Sequence, residues 1–109
     1  MTEYTRMDII DMLLKADYSC HSSYDRSIEF IRDNYRVIVK FDDNEPAGFY
    51  LLSSRAEYPG RLMTTIPYGD YYLCCNVSPE TFMKIVVGPS NRIMVLVKNE
   101  ITKQVLEEL

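Results

Sequence analysis

At 109 residues, with 47% hydrophobic and 26% charged side chains, the chain has the size and make-up of one folded domain and lies outside the composition range of disordered proteins. Twelve lysines and arginines against sixteen aspartates and glutamates leave a formal charge of −4, which repels phosphate backbones and argues against general nucleic-acid binding. Unbroken apolar runs extend over a few residues, far short of the ~20 that cross a membrane as a helix.

Residues 5–16 predict a helix. Met7, Ile10 and Leu14 recur at spacings of three and four, Leu13 widens the stripe, and Thr5 with Asp8 has the form of a capping box. Asp8 and Asp11 early and Lys15 late suit the helix dipole. The segment from Asp17 to Asn34 has two readings. Ser22 or Ser23 can cap a helix over 24–32, with Tyr24, Ile28 and Ile31 on one face. Ile28 and Phe30 also alternate with Glu29, as in a strand ending at Arg32-Asp33-Asn34. The helix is the favoured reading.

From residue 35 the period is two. Tyr35, Val37, Val39 and Phe41 alternate with Arg36, Ile38 and Lys40, which predicts a half-buried strand. Asp42-Asp43-Asn44-Glu45-Pro46 supplies a turn, and residues 47–53 return as a second strand. Tyr58-Pro59-Gly60-Arg61 has the form of a type II turn. Residues 62–66 then make a third strand, residues 67–70 another turn, and residues 71–77 a fourth strand of a meander.

Ser78-Pro79-Glu80 is the clearest local signal: a capping hydroxyl, a proline suited to the first helical position, and an acid at the positive end of the dipole. It predicts a helix over 79–87, stopped by Gly88-Pro89, with Phe82, Ile85 and Val86 buried. Residues 92–98 read as a fifth strand. Asn99 caps a terminal helix over 100–109, with Ile101, Val105 and Leu109 on one side. The sum is an α+β fold within a single domain: a mainly antiparallel sheet of about five strands, with N-terminal, internal and C-terminal helices packed on one face.

Residues that carry chemistry are few. His21, the sole histidine, adjoins Cys20, but neighbours in an extended chain point opposite ways, so adjacency makes no nucleophile–base pair. On a strand, Cys74 and Cys75 send one thiol inward and one outward. The spacings of a zinc site do not occur, and neither does a phosphate-cradling loop, a Gly-x-Ser-x-Gly elbow or a dinucleotide fingerprint. The chain is therefore expected to hold no metal or cofactor and to be no enzyme. A small cysteine-dependent enzyme using Cys20, Cys74 or Cys75 with His21 is the minor alternative. Three cysteines cannot all pair within one chain, and Met1–Arg6 lacks a signal-peptide pattern, so a cytoplasmic setting is expected.

The candidate binding residues form two groups. Asp42, Asp43 and Glu45 sit at a hairpin tip without the alternate-residue spacing of a calcium loop. Turn chemistry alone accounts for Asp and Asn there, and the same carboxylates suit contact with a basic partner. The chain also has nine tyrosines and no tryptophan. Tyr68, Tyr71 and Tyr72 cluster around one turn with Asp70, and Tyr58 lies a strand away. Tyrosine joins an apolar ring to a polar tip and is enriched among binding hot spots. A base-stacking platform needs cations between its rings, which Asp70 and the net charge oppose.

In a meander of four strands, the turns at 42–46 and 67–70 are the first and third connections and share one end. The expected function is a non-enzymatic protein-binding module for a basic protein surface, with no membrane and no direct nucleic-acid contact. One version is an inhibitor that covers a partner's basic, nucleic-acid-binding surface. Small anti-defence proteins of phages and mobile elements act in that general way, an analogy of class to which no motif in the chain contributes. The alternative is a self-assembling structural or regulatory subunit, a homo-oligomer paired through its strands.

Overall fold

The computed structural model describes residues 4–53, 64–68, 71–75 and 78–108. Helix α1 (Arg6–Lys15) opens on the expected capping box: the Thr5 hydroxyl accepts from the Asp8 N–H at 3.2 Å, and the Thr5 N–H donates to the Asp8 carboxylate at 2.9 Å. The Thr5 N–H, and after it the hydroxyl, hold the Asp8 carboxyl below its ordinary range. The helix closes with Asp17 at φ 70° while the Tyr18 N–H reaches back to the Leu13 carbonyl at 3.0 Å. That is the pattern in which glycine is usual and aspartate tolerated.

The core face of α1 is not the expected stripe. Ile9 and Leu13 are fully buried, whereas Met7 and Leu14 are 72% and 48% exposed. The helix has apolar residues on two sides, and packing against the sheet selects the Ile9–Leu13 side.

The helix expected over 24–32 is instead a hairpin of β1 (Ser19–Ser23) and β2 (Ser27–Arg32). A helix would set Ile28 and Phe30 about 200° apart. A strand puts both on one face, where Ile28 lies across from Val39 and Phe30 across from Val37. β3 (Tyr35–Asp42) and β4 (Glu45–Ser53) continue the sheet, with Tyr35, Val37, Val39 and Phe41 buried as the alternation predicts. Glu45 and Pro46 belong to β4 and not to the turn. Among the described residues, both two-residue loops begin with an aspartate at positive φ, Asp33 at 53° and Asp43 at 56°.

The expected order of the last strands is also corrected. β6 (Tyr71–Cys75) pairs with β4, and β5 (Thr64–Tyr68) pairs with β6, so the six strands run β1-β2-β3-β4-β6-β5 with every neighbour antiparallel. β5 is therefore parallel to β4 with β6 between them. Each edge opposes strand addition: β1 is bulged at His21, and β5 contains Pro67, which has no N–H to donate. The turn expected at 58–61 lies outside the described residues.

Helix α2 (Pro79–Val86) begins as expected, the Ser78 hydroxyl accepting from the Thr81 N–H at 3.2 Å. Phe82, Met83, Ile85 and Val86 are buried, and the Phe82 ring meets Phe49 with centroids 5.2 Å apart. The fifth strand at 92–98 is not formed. Helix α3 (Ser90–Glu108) runs through it, and Asn99 lies inside that helix without capping one. Five consecutive apolar residues, 93–97, carry neither period. The fully buried pair Ile93 and Val97, one helical turn apart, is what joins α3 to the core.

One sheet face carries Ile28, Phe30, Val37, Val39, Phe41 and Leu51, and it shares a single core with Ile9 and Leu13 of α1, the buried side of α2, and Ile93 and Val97 of α3. The other face carries Glu29, Arg36, Lys40 and Tyr50. There Glu29 and Arg36 form an ion pair at 2.8 Å, and the Lys40 ammonium lies 5.2 Å over the Tyr50 ring. No described helix is long and apolar enough to cross a membrane.

Candidate functional site: the acidic end of the sheet

Strands β1 to β4 are a true meander, so its first and third connections, at residues 24–26 and 43–44, meet at one end. Arg6 at the start of α1 ties them together. Its Nη1 donates to the Asp25 carbonyl at 2.8 Å and its Nη2 to the Tyr24 carbonyl at 3.4 Å, while its backbone N–H donates to the Asn44 carbonyl at 3.1 Å. The same guanidinium stacks 4.9 Å above the Phe41 ring, and the Phe41 N–H donates to the Arg26 carbonyl at 2.7 Å. Arg6, Asp25, Arg26, Asp43 and Asn44 line an open cleft of about 360 Å³ between the tips.

The two tips carry the exposed carboxylates Asp25, Asp42, Asp43 and Glu45, of which Asp25 and Asp43 line the cleft with Arg6 and Arg26. Two large side chains are also exposed at this end, Tyr24 at 68% and Met7 at 72%. The fold thus joins negative charge to desolvatable surface, on a base that Arg6 holds rigid.

Asp42, Asp43 and Glu45 are where the sequence places them, at a hairpin tip. Their expected neighbours are not. In register, Ser53 lies across from Tyr72, and Pro67 across from Tyr72 on the other side. Tyr68, Tyr71 and Tyr72 therefore sit at the opposite end of the sheet, about 25 Å away along β4. The expectation of one patch combining the two groups is corrected by the β4–β6 pairing. Tyr58 and Asp70 lie outside the described residues. Sequence reasoning missed Tyr24, Asp25 and Met7, because reading 24–32 as a helix concealed a connection and reading Met7 as core concealed an exposed side chain.

At the opposite end, Asp17, Ser19, Cys20, His21, Ile31, Arg32 and Asp33 line a second concavity of about 630 Å³. The bulge at His21 lets Cys20 and His21 line the same space, against the alternation expected of neighbours. The Cys20 thiol approaches the Ser22 carbonyl at 3.8 Å. Among the described residues no three groups converge as a metal site. Four strand spacings, about 19 Å, separate β1 from β6, so the backbone does not bring His21 to Cys74 or Cys75.

Arg32, on the wall of this concavity, is engaged with the fold. Its Nη1 donates to the Ala16 carbonyl at 2.7 Å, its Nη2 to the carbonyls of Val86, at 3.3 Å, and Gly88, and its Nε to the Ser90 hydroxyl at 3.0 Å. Ser90 in turn donates to Asp33. One guanidinium thus binds the ends of α1 and α2 to the start of α3.

The Arg32 guanidinium also stacks 4.4 Å over the Tyr18 ring, whose hydroxyl donates to the Val86 carbonyl at 2.7 Å. Burial pushes the Tyr18 hydroxyl up to about 12, with Arg32 pulling partly back. The unfolded chain loses that proton near pH 10 and the folded chain keeps it. Stability from this group is full below about pH 10 and falls by roughly 2–3 kcal/mol as pH rises through 12. Urea melts at about pH 9 and pH 11.5 are expected to diverge less for Tyr18→Phe than for the parent chain.

The fold and its ends define an α+β domain with an antiparallel sheet, helices over one face and an acidic tip. No protein-family model, curated protein or solved structure matches the chain.

Proposed function

We propose that the protein is a non-enzymatic binding module whose acidic end docks on a basic surface of a partner protein. The observation that supports this reading is the convergence of the two hairpin tips, which brings exposed Asp25, Asp42, Asp43 and Glu45 to the same end of the sheet as exposed Tyr24, with exposed Met7 next to Arg6 in α1. Carboxylates steer a cationic partner, and a tyrosine and a methionine supply contact that gains from losing water. In its specific form the partner is a protein that binds nucleic acid through that basic surface, and docking competes with the nucleic acid.

The test is capture of the partner from the native host, followed by binding measurements on the purified pair. Tyr24→Ala is expected to weaken binding by roughly 1–3 kcal/mol, mainly through faster dissociation. Unchanged affinity for a folded Tyr24→Ala, Met7→Ala double variant would remove this site, and simultaneous binding of partner and nucleic acid would remove the competitive form.

A further inference from the structure

Arg6 is the first residue of α1, where the free N–H groups of a helix disfavour a cation. The acid nearest to it on that turn is engaged elsewhere, because the Asp8 carboxylate accepts from the Thr5 N–H at 2.9 Å. Asp25 and Asp43 line the same cleft as Arg6, yet among the described residues Arg6 forms no ion pair. Its guanidinium donates instead to the backbone carbonyls of Asp25 and Tyr24, at 2.8 and 3.4 Å.

The contacts of this one residue reach both tips. Its side chain holds 24–26 through two carbonyls, and its backbone N–H holds 43–44 through the Asn44 carbonyl at 3.1 Å. The guanidinium rests on Phe41, which is 3% exposed and part of the core, so the junction is anchored to β3 as well as to the turns. Carbonyl acceptors also leave the acids alone. Among the described residues the exposed Asp25 and Asp43 carboxylates have neither an ion pair nor a hydrogen bond.

We infer that Arg6 is the positioning residue of the acidic end: it sets the two tips at one separation and leaves their carboxylates open to a basic protein surface. The role rests on the docking function proposed above. A surface ordered before binding loses less freedom on binding, so affinity depends on the clamp as well as on charge. The two effects of Arg6 have opposite signs. As a charge it repels a basic partner, and its removal favours docking. As a clamp it favours docking, and its removal weakens it. Lysine keeps the charge but lacks the planar fork that spans two carbonyls, so it separates the two effects from the other side.

Nitrogen-15 relaxation of the whole chain tests the clamp without a partner. Backbone order parameters at residues 24–26 and 43–44 are expected at about 0.85 in the parent chain and below about 0.6 in Arg6→Gln and Arg6→Lys. Those at 28–30 and 37–39 are expected to stay as they are. Affinity for the basic partner protein, purified as above, is expected to fall about tenfold in both variants, although Arg6→Gln makes the end more acidic. Tighter binding by Arg6→Gln, with Arg6→Lys equal to the parent, would show a charge and no clamp and overturns the proposal. So do tips that stay ordered in both variants. So does loss of order in the core strands along with the tips, which would make Arg6 a support of the whole fold. Removal of the docking site by the Tyr24→Ala, Met7→Ala test would leave the relaxation result standing, so the two readings fail separately.

Discussion

Arg32→Ala is expected to lower the unfolding free energy by about 3–5 kcal/mol. The guanidinium satisfies carbonyls at the ends of two helices, Ala16 after α1 and Val86 and Gly88 after α2, and it orders the Ser90–Asp33 contact at the start of α3. Cations are favourable at helix C-termini, and a charged donor is worth roughly 1.5–3 kcal/mol per well-formed hydrogen bond. Alanine leaves the Ala16 and Gly88 carbonyls to water or to nothing and the Val86 carbonyl to the Tyr18 hydroxyl alone, and it removes the cation from the Tyr18 ring. Arg32→Lys keeps the charge without the fork that reaches three carbonyls and a hydroxyl at once, so it is expected to recover less than half of the loss. Urea unfolding checks both, through a lower midpoint at unchanged slope. A midpoint within error of the parent for Arg32→Ala would mean that the helix ends are held by packing alone.

What could be read from the chain before its fold follows from how local each signal is. Thr5 with Asp8, Ser78 with Pro79, and the alternation from Tyr35 to Phe41 are complete within a few residues, and all three structures form. Residues 24–32 hold apolar side chains that fit two periods, and β3 decides between them by offering Val37 and Val39 to Phe30 and Ile28. Residues 93–97 are apolar throughout, so whether they make strand or helix depends on α2 lying alongside.

Strand order is the least local property of all. Nothing in residues 64–75 tells whether β5 or β6 meets β4, and that choice moves the tyrosines of 68–72 from one end of the sheet to the other. The acidic half of the candidate site was therefore legible as a hairpin tip. Its apolar half was not, because Tyr24 and Met7 became surface residues only through the hairpin at 19–32 and the rotation of α1.

Neutralising the acidic end is expected to slow association with a basic partner about 100-fold at low salt, within the 10- to 1,000-fold range that charge steering spans. The variant is Asp25→Asn, Asp42→Asn, Asp43→Asn, and asparagine suits it for a structural reason. Asp43 holds φ at 56°, a conformation that asparagine adopts as readily, so the hairpin keeps its turn while the charge goes. Glu45 remains in β4 across from Asp42, so the strand pairing is not disturbed. Steering acts over roughly the Debye length, about 10 Å at 0.1 M salt and 3 Å at 1 M, so the difference from the parent chain is expected to close as salt rises. Dissociation is expected to change little, because exposed rim charges set encounter more than residence. Tyr24→Ala should behave in the opposite way, with a near-normal association rate and faster release at every salt concentration. Stopped-flow association at several ionic strengths separates the two. Equal association rates for the parent and the triple variant at low salt would show that the carboxylates are turn residues alone, since desolvation at Tyr24 and Met7 does not depend on their charge.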